Sequence, residues 1–243
     1  MGGRRVSMPW HYLDLGAKLR EGFDSARSDT LTLTGGAVQS WQSVRTPTFI
    51  ASQAVEAARP LFQSAGFNGQ PLVWADGVAS ELTTVGIGNL QSGTTPGEWW
   101  FLIDQAADAA NTANRYAAAY GGSAQTNNRV SRRAVAGGVN VLTTNTGNAA
   151  AGFISPAAPG DYSGRKLVRH VFGATATHCE LNGAASASVT VTPATGTDKL
   201  RLFANTAASP ASFHHGGLRL ALFTDELTPT EIAKLAAYCN ARL

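Results

Sequence analysis

Hydrophobic and polar residues alternate in short runs along most of this chain. The runs are closed by glycine pairs or by Asn-Gly and Asp-Gly steps. Thr30-Leu-Thr-Leu-Thr34 alternates with period two, Gly35-Gly36 turns, and Ala37-Val-Gln-Ser-Trp41 returns, which predicts a hairpin. Residues 42–69 carry no clean period and read as a long excursion. Gln70 to Ala75 is a short strand that ends at Asp76-Gly77. Glu98-Trp-Trp-Phe-Leu-Ile-Asp104 is a nearly continuous apolar run, the pattern of a strand covered on both faces. Further strands are expected at 115–120, twice within 129–144 around Gly137-Gly138, and along 165–181, with a bulge or break at Gly173. Asn182-Gly183 then turns the chain into the alternating Ser188-Val-Thr-Val-Thr192, and 199–203 and 217–223 add two more strands.

The tail changes period. Thr228, Pro229 and Glu231 form a helix start with a capping box, and Leu227 and Ile232 occupy the staple positions. Ile232, Leu235, Ala236 and Cys239 follow at helical spacing, so a helix of about three turns closes the chain. About ten strands without βαβ units predict an all-β fold: an antiparallel two-sheet β-sandwich of jelly-roll type with a short C-terminal helix. Residues 17–243 form that single domain, and 1–16 an N-terminal docking arm whose Trp10, Tyr12 and Leu13 are apolar enough to seat on a partner.

Composition narrows the function. The 243 residues are 44% hydrophobic but only 14% charged, against about 25% charged in an average globular chain. A net charge of +3 is thin for nucleic-acid binding, and the densest cluster, Arg129, Arg132 and Arg133, reads as a solvated strand or loop. No apolar run is long enough for a membrane helix, and the basic start lacks the apolar core of a secretory signal. Synthesis in a bacterial cytoplasm without a signal peptide is the expectation. Cys179 and Cys239 read as buried apolar residues, with a disulfide between them allowed but not needed.

Reactive constellations are scarce. A retaining glycosidase needs two carboxylates about 5–5.5 Å apart, which an i, i+2 pair on one strand supplies. None of the sixteen acidic residues has such a partner. Glu98 and Asp104 share a face but lie roughly 20 Å apart along a strand, Asp104 and Asp108 meet only on a helical turn, and Asp225-Glu226 diverge. A pair assembled from different strands stays open. No Gly-x-Ser-x-Gly elbow, Asp-rich calcium loop or phosphate-cradling motif is present. His178-Cys179 and His214-His215 are adjacent pairs that diverge on strands and do not make a zinc set, and His170 stands alone. No catalytic residue, metal or cofactor is therefore expected. Saccharide binding fits better, through stacking on Trp99 or Trp100, which point to opposite faces so that one enters the core and the other lies on an outer or concave face or under the helix or the arm, with hydrogen bonds from Asn127, Asn128 and Asn145 in loops.

Three pieces in order carry a resemblance: Asp24 with Thr30 to Trp41, then Asn68-Gly-Gln-Pro-Leu-Val-Trp-Ala-Asp-Gly77, then Leu181-Asn-Gly183 with Leu218 to Arg242. Together they resemble the concanavalin A-like (LamG-like) jelly-roll domain of phage and phage-derived particle proteins, over roughly 13–243. The stretch Gln42-Ser-Val-Arg-Thr46 departs from the usual charged, glycine-rich turn. The resemblance implies a non-enzymatic structural or adhesion protein on a virion or phage-like particle, in the head, tail, spike or fibre. It would bind host-surface glycan and be homo-oligomeric, with other virion subunits as partners and no nucleic acid or membrane insertion. An assembly module without sugar and a polysaccharide-cleaving glycosidase are the alternatives.

Overall fold

In the computed structural model, residues 10–86, 88–90, 95–106, 115–121, 127–136, 139–145, 163–174, 176–190, 199–204 and 213–243 are described. At 115–116, 120–121, 127–136, 139–145 and 189 this extends to the backbone alone. The strands in chain order are β1 (Leu19–Asp24), β2 (Leu31–Thr34), β3 (Ala37–Gln42), β4 (Ile50–Ser52), β5 (Leu61–Phe67), β6 (Gln70–Asp76), β7 (Leu82–Thr84), β8 (Gly97–Gln105) and β9 (Arg115–Gly121). They continue as β10 (Asn127–Ala136), β11 (Val139–Asn145), β12 (Gly164–Phe172), β13 (Ala176–Leu181), β14 (Ala184–Ala185), β15 (Val189–Thr190), β16 (Lys199–Leu202) and β17 (His215–Thr224). Helix α1 (Pro229–Asn240) follows.

Every strand pair is antiparallel, and the pairs form two layers. In one, β6 and β1 lie in succession along one edge of β17, and β8, β12 and β13 follow on the other. In the other, the order runs β2, β3, β4, β7, β16, β9, β10, β11. The pair Ala37–Leu61 joins β3 to β5 and so links the layers. The expected all-β, two-layer antiparallel sandwich with a closing helix is the fold observed.

Alternation along β8 divides the apolar residues into two cores. Trp99, Phe101 and Ile103 face inward, where they meet Trp41, Ala51, Leu82, Leu200 and Leu202 of the facing layer. Trp100 and Leu102 face outward with Leu72, Leu167, Leu220 and Leu222, and are covered by Tyr12, Leu15, Leu235, Tyr238 and Cys239. The continuous apolar run of β8 thus has the predicted cause. It is covered twice, once by strands and once by α1 and the segment before β1. Burial on this scale contributes about 1.5–3 kcal/mol for each large apolar side chain.

α1 begins as its sequence dictates. Thr228 Oγ1 accepts from the Glu231 backbone N–H, and Glu231 reaches back to the Thr228 N–H at 2.8 Å. Lys18 Nζ lies 2.7 Å from Glu231, strapping the helix to the start of β1. These contacts hold the Glu231 carboxyl down to about 2, through Lys18 first and Thr228 second.

Several expectations are corrected. The supposed excursion 42–69 contains β4 and β5; β4 is too short to show a period, and β5 exposes Leu61 to solvent. The segment 165–181 is a hairpin, so of the two readings at Gly173 the break holds and the bulge does not. It turns at Gly173, where a Cβ would lie 2.6 Å from the Ala176 carbonyl. The described part of the arm docks within the chain: Tyr12 is fully buried, its hydroxyl donates to Asp24, and Trp10 packs on Tyr238. Of Trp10, Tyr12 and Leu13, it is Leu13, 41% exposed, that faces outward. Cys179 belongs to the inner core and Cys239 to the outer one, so the sheet separates them and no disulfide forms. Burial pushes both thiols up to about 12.

Candidate functional site

The outward face of β8 presents Glu98, Trp100, Leu102 and Asp104 in turn. Its first half lies against the covering elements, where a small cleft of about 50 Å³ remains between Trp100, Arg169, Glu180 and α1. Arg169 of β12 clamps Glu98 with Nε and Nη2, each at 2.9 Å, and reaches Glu180 with Nη1 at 2.6 Å. Trp100 Nε1 and the Leu227 N–H also donate to Glu98. All four acceptor sites of that carboxylate are used, so it has no capacity left for chemistry. Burial works against the Arg169 charge, but Glu98 and Glu180 outweigh it and hold the guanidinium above its ordinary range.

The second half opens. Strand registers place Leu61, Trp74, Gly217, Asp104 and Arg165 in one row across β5, β6, β17, β8 and β12. In the adjacent row His215 of β17 stands opposite Asp76 of β6. Gly217 is required at the middle of the first row, because a Cβ there would fall 2.3 Å from Leu72 Cδ2. The fully buried Leu72 therefore fills the space over Gly217, and the half-buried Trp74 and Asp104 flank it on the outer face; this surface is the shelf. Trp74 is half-buried and meets the His215 ring edge-on at 6.2 Å. Gln105 Nε2 donates to the His215 carbonyl at 2.7 Å and pins the strand end. Leu61 continues the apolar side of the shelf and is 53% exposed.

The two carboxylates of the shelf sit in opposed environments. Burial raises Asp104 above the usual carboxylate range, and Arg165 and Lys166 offset this only in part. The Arg165 contact is loose, with Nε 3.7 Å from Oδ2, while its guanidinium lies 5.5 Å over the Phe67 ring. At Asp76 burial also pushes upward, but the N–H groups of Val78, Ala79 and Ser80, at 2.9–3.1 Å from Oδ1, outweigh it, and its pKa is lowered. Asp76 and Asp104 lie on strands flanking β17, offset by two residues, or roughly 12 Å between Cα atoms from ideal sheet spacings.

The residues singled out in the sequence are placed otherwise. Trp99 is 2% exposed inside the sandwich and Trp100 1% exposed beneath α1, so neither offers a ring face to a sugar. The nearby Arg169 stacks over Trp100 at 5.0 Å instead. Asn127 opens β10 opposite Gly121, Asn128 follows it in the strand, and Asn145 ends β11 opposite Val130, so none is a loop residue. Their side chains lie outside the described residues, as do those of Arg129, Arg132 and Arg133, and Asp108 lies outside them altogether. His170 is buried in the inner core, which lowers its pKa to about 3. Trp41 is buried in the inner core, and Trp74 is on the shelf. Sequence reasoning missed Trp74, His215 and Arg165 as a group. The available signal was the Asp76-Gly77 turn, which fixes where β6 ends and so which strand residues share that end of the sheet. Among the described residues, no three His, Cys, Asp or Glu side chains converge as a metal site would require.

Fold and shelf together define an antiparallel β-sandwich with one helix-covered outer face and an aromatic, carboxylate-bearing opening at its end. No protein-family model and no curated protein matches the sequence. Solved structures do share the fold. The Trypanosoma rangeli sialidase in complex with sialic acid aligns at TM-score 0.62 and 10% identity, over 90% of this chain and 33% of that one. An arabinofuranosidase complexed with arabinofuranosyl-alpha-1,2-xylobiose aligns at 0.61 and 12%, over 93% and 59%. Domain 4 of AbnA, a GH43 extracellular arabinanase from Geobacillus stearothermophilus, in complex with arabinotriose, aligns at 0.53 and 14%, over 90% of this chain and 98% of that one. The chain spans about a third of the sialidase and under two thirds of the arabinofuranosidase. These findings correct the expectation of a non-enzymatic particle protein: the chains that share the architecture are glycosidases or a domain of one.

Proposed function

We propose that this chain is a domain of a glycoside hydrolase and that the Trp74–Asp104 shelf holds the saccharide. The observation that carries the reading is the in-register row Leu61, Trp74, Gly217, Asp104, Arg165 on the uncovered end of the sheet. Sugars present apolar C–H faces and a rim of hydroxyls. A half-buried indole receives the first, and a carboxylate, a guanidinium and an imidazole around it receive the second. The likeness to an arabinanase domain that carries arabinotriose over almost its whole length supports the same reading.

A second observation favours cleavage on the shelf as well as binding. Two carboxylates whose environments push their pKa values apart are the signature of an acid and a base working together. Asp104, held protonated more readily, would donate to the leaving oxygen, and Asp76, held ionised, would activate water from the other side. Arabinotriose and 3′-sialyllactose are to be titrated against the intact chain by calorimetry, with reducing-end release from arabinan assayed alongside. The expected result is binding of one saccharide by the wild type, at least tenfold weaker in Trp74→Ala, with any release abolished by Asp104→Asn. Equal binding by wild type and Trp74→Ala would remove the shelf from the account.

A further inference from the structure

At the other end of β17, roughly 20 Å from the shelf at strand spacing, β1 pairs irregularly. Leu19 stands opposite Thr224 and Glu21 opposite Phe223, so Arg20 is the extra residue of a β-bulge. A bulge breaks the alternation of side chains and re-aims the residue it carries. Here Arg20 lines a polar cleft of about 200 Å³ with Arg45, Asn89, Ala17 and Leu19. One water needs only about 10–15 Å³ on this measure, so the cleft has room for a polyatomic group.

Its charge is arranged for an anion. Asp225 fixes Arg20 through Nε at 2.8 Å and Nη2 at 2.7 Å, which leaves Nη1 outside that pair and the guanidinium held in place. Arg45 is exposed, on a tight turn whose Arg45 and Thr46 N–H groups donate to Ser43 Oγ at 3.2 and 3.4 Å. It has no acidic partner among the described residues. The nearby Glu21 carboxylate does not line the cleft. It accepts from Ser43 Oγ at 2.6 Å, the Asn89 N–H at 3.0 Å and Asn89 Nδ2 at 3.2 Å. Two guanidiniums and no carboxylate therefore line the cleft, and guanidinium forks suit planar and tetrahedral oxyanions. The shelf, by contrast, has two carboxylates to one guanidinium.

We propose that the Arg20–Arg45 cleft is a second ligand site that binds an anionic group, the carboxylate or sulfate ester of an acidic saccharide. The test needs no polymer and no activity on the shelf. Sodium glucuronate and sodium sulfate are titrated separately against the intact chain at constant ionic strength, with binding heat and thermal midpoint as readouts. The expected outcome is millimolar binding of at least one probe, at least tenfold weaker in Arg45→Ala and unchanged in Arg27→Ala, which removes a surface arginine elsewhere. Glucuronate alone identifies a uronate site; sulfate alone, or both, identifies a general oxyanion site. Absence of binding, equal binding by Arg45→Ala, or equal loss in Arg27→Ala overturns the proposal.

Discussion

The two ends of β8 carry the same chemistry on the same face and put it to opposite uses. At one end Glu98, Arg169 and Trp100 lie beneath α1; at the other Asp104, Arg165 and Trp74 stand in one partly exposed row. Both ends pair a β8 carboxylate with a β12 arginine and add a tryptophan. The covered carboxylate has every acceptor site filled and its ion pair closes at 2.9 Å, whereas the open pair stands at 3.7 Å. A saturated network fixes structure, and an unsaturated one keeps hydrogen-bonding capacity for a ligand. Residue type alone cannot separate the two; what covers them does.

The largest expected effect comes from breaking the covered end. Removing one member of a buried ion pair leaves an uncompensated charge, which costs about 3–5 kcal/mol. Arg169→Ala should therefore lower the urea midpoint sharply, while Arg165→Ala at the open end should change stability by no more than about 0.5 kcal/mol. Comparable losses from the two substitutions would erase the contrast between them.

Trp74→Ala comes next, and its effect falls on binding. A tenfold loss of saccharide affinity is about 1.4 kcal/mol, measured by calorimetry, with little change in the unfolding midpoint because Trp74 is only half-buried. Trp100→Ala should do the reverse and cost stability as a core truncation does, about 3–5 kcal/mol. A Trp74→Ala protein that unfolds easily and binds normally would make Trp74 a core residue after all.

Much of the fold was legible because local signals and packing agree. The Gly35-Gly36 and Asn182-Gly183 turns, the doubly covered run of β8 and the capping box at Thr228 each act over a few residues, and tertiary structure only completes them. The shelf was not legible because it is made by register. Trp74 and Asp104 are thirty positions apart in sequence and become near neighbours only because Gly217 of β17 pairs with both. The same holds at the covered end, where Glu98 meets Arg169 across the β8–β12 register. Alternation says that one of Trp99 and Trp100 leaves the inner core but not what meets it there; for Trp100 it is α1. A search for i, i+2 carboxylates could not find Asp76 and Asp104, which lie on different strands.

The cap on the covered end offers a milder test. Thr228→Ala removes the side-chain acceptor at the start of α1 and should cost about 1 kcal/mol, read as a lower unfolding midpoint with the shelf's saccharide affinity unchanged. Coupled loss of affinity would mean that α1 supports the open end as well. Glu231 adds a pH signature to the same cap. Its carboxyl is lowered to about 2, so this contribution is present above its unfolded value near 4.5 and is lost as pH falls toward 2.

The smallest effect is also the one with the opposite sign. Asp104 is raised by burial, so between its unfolded value of 3.8 and its folded value the native state holds more protons than the unfolded state. Stability from this group therefore falls as pH rises through that window, and above it the ionised carboxylate is a net burden on the fold. Asp104→Asn removes the burden, and the variant should be slightly more stable than wild type at neutral pH and equal to it below pH 3. Paired denaturation curves at the two pH values read the difference directly. A residue kept ionised at a cost to the fold fits a carboxylate retained for a ligand, as strain at functional sites generally does. Loss of stability in Asp104→Asn at neutral pH would instead make the loose Arg165 pair a structural contact, and the two ends of β8 would then differ in degree alone.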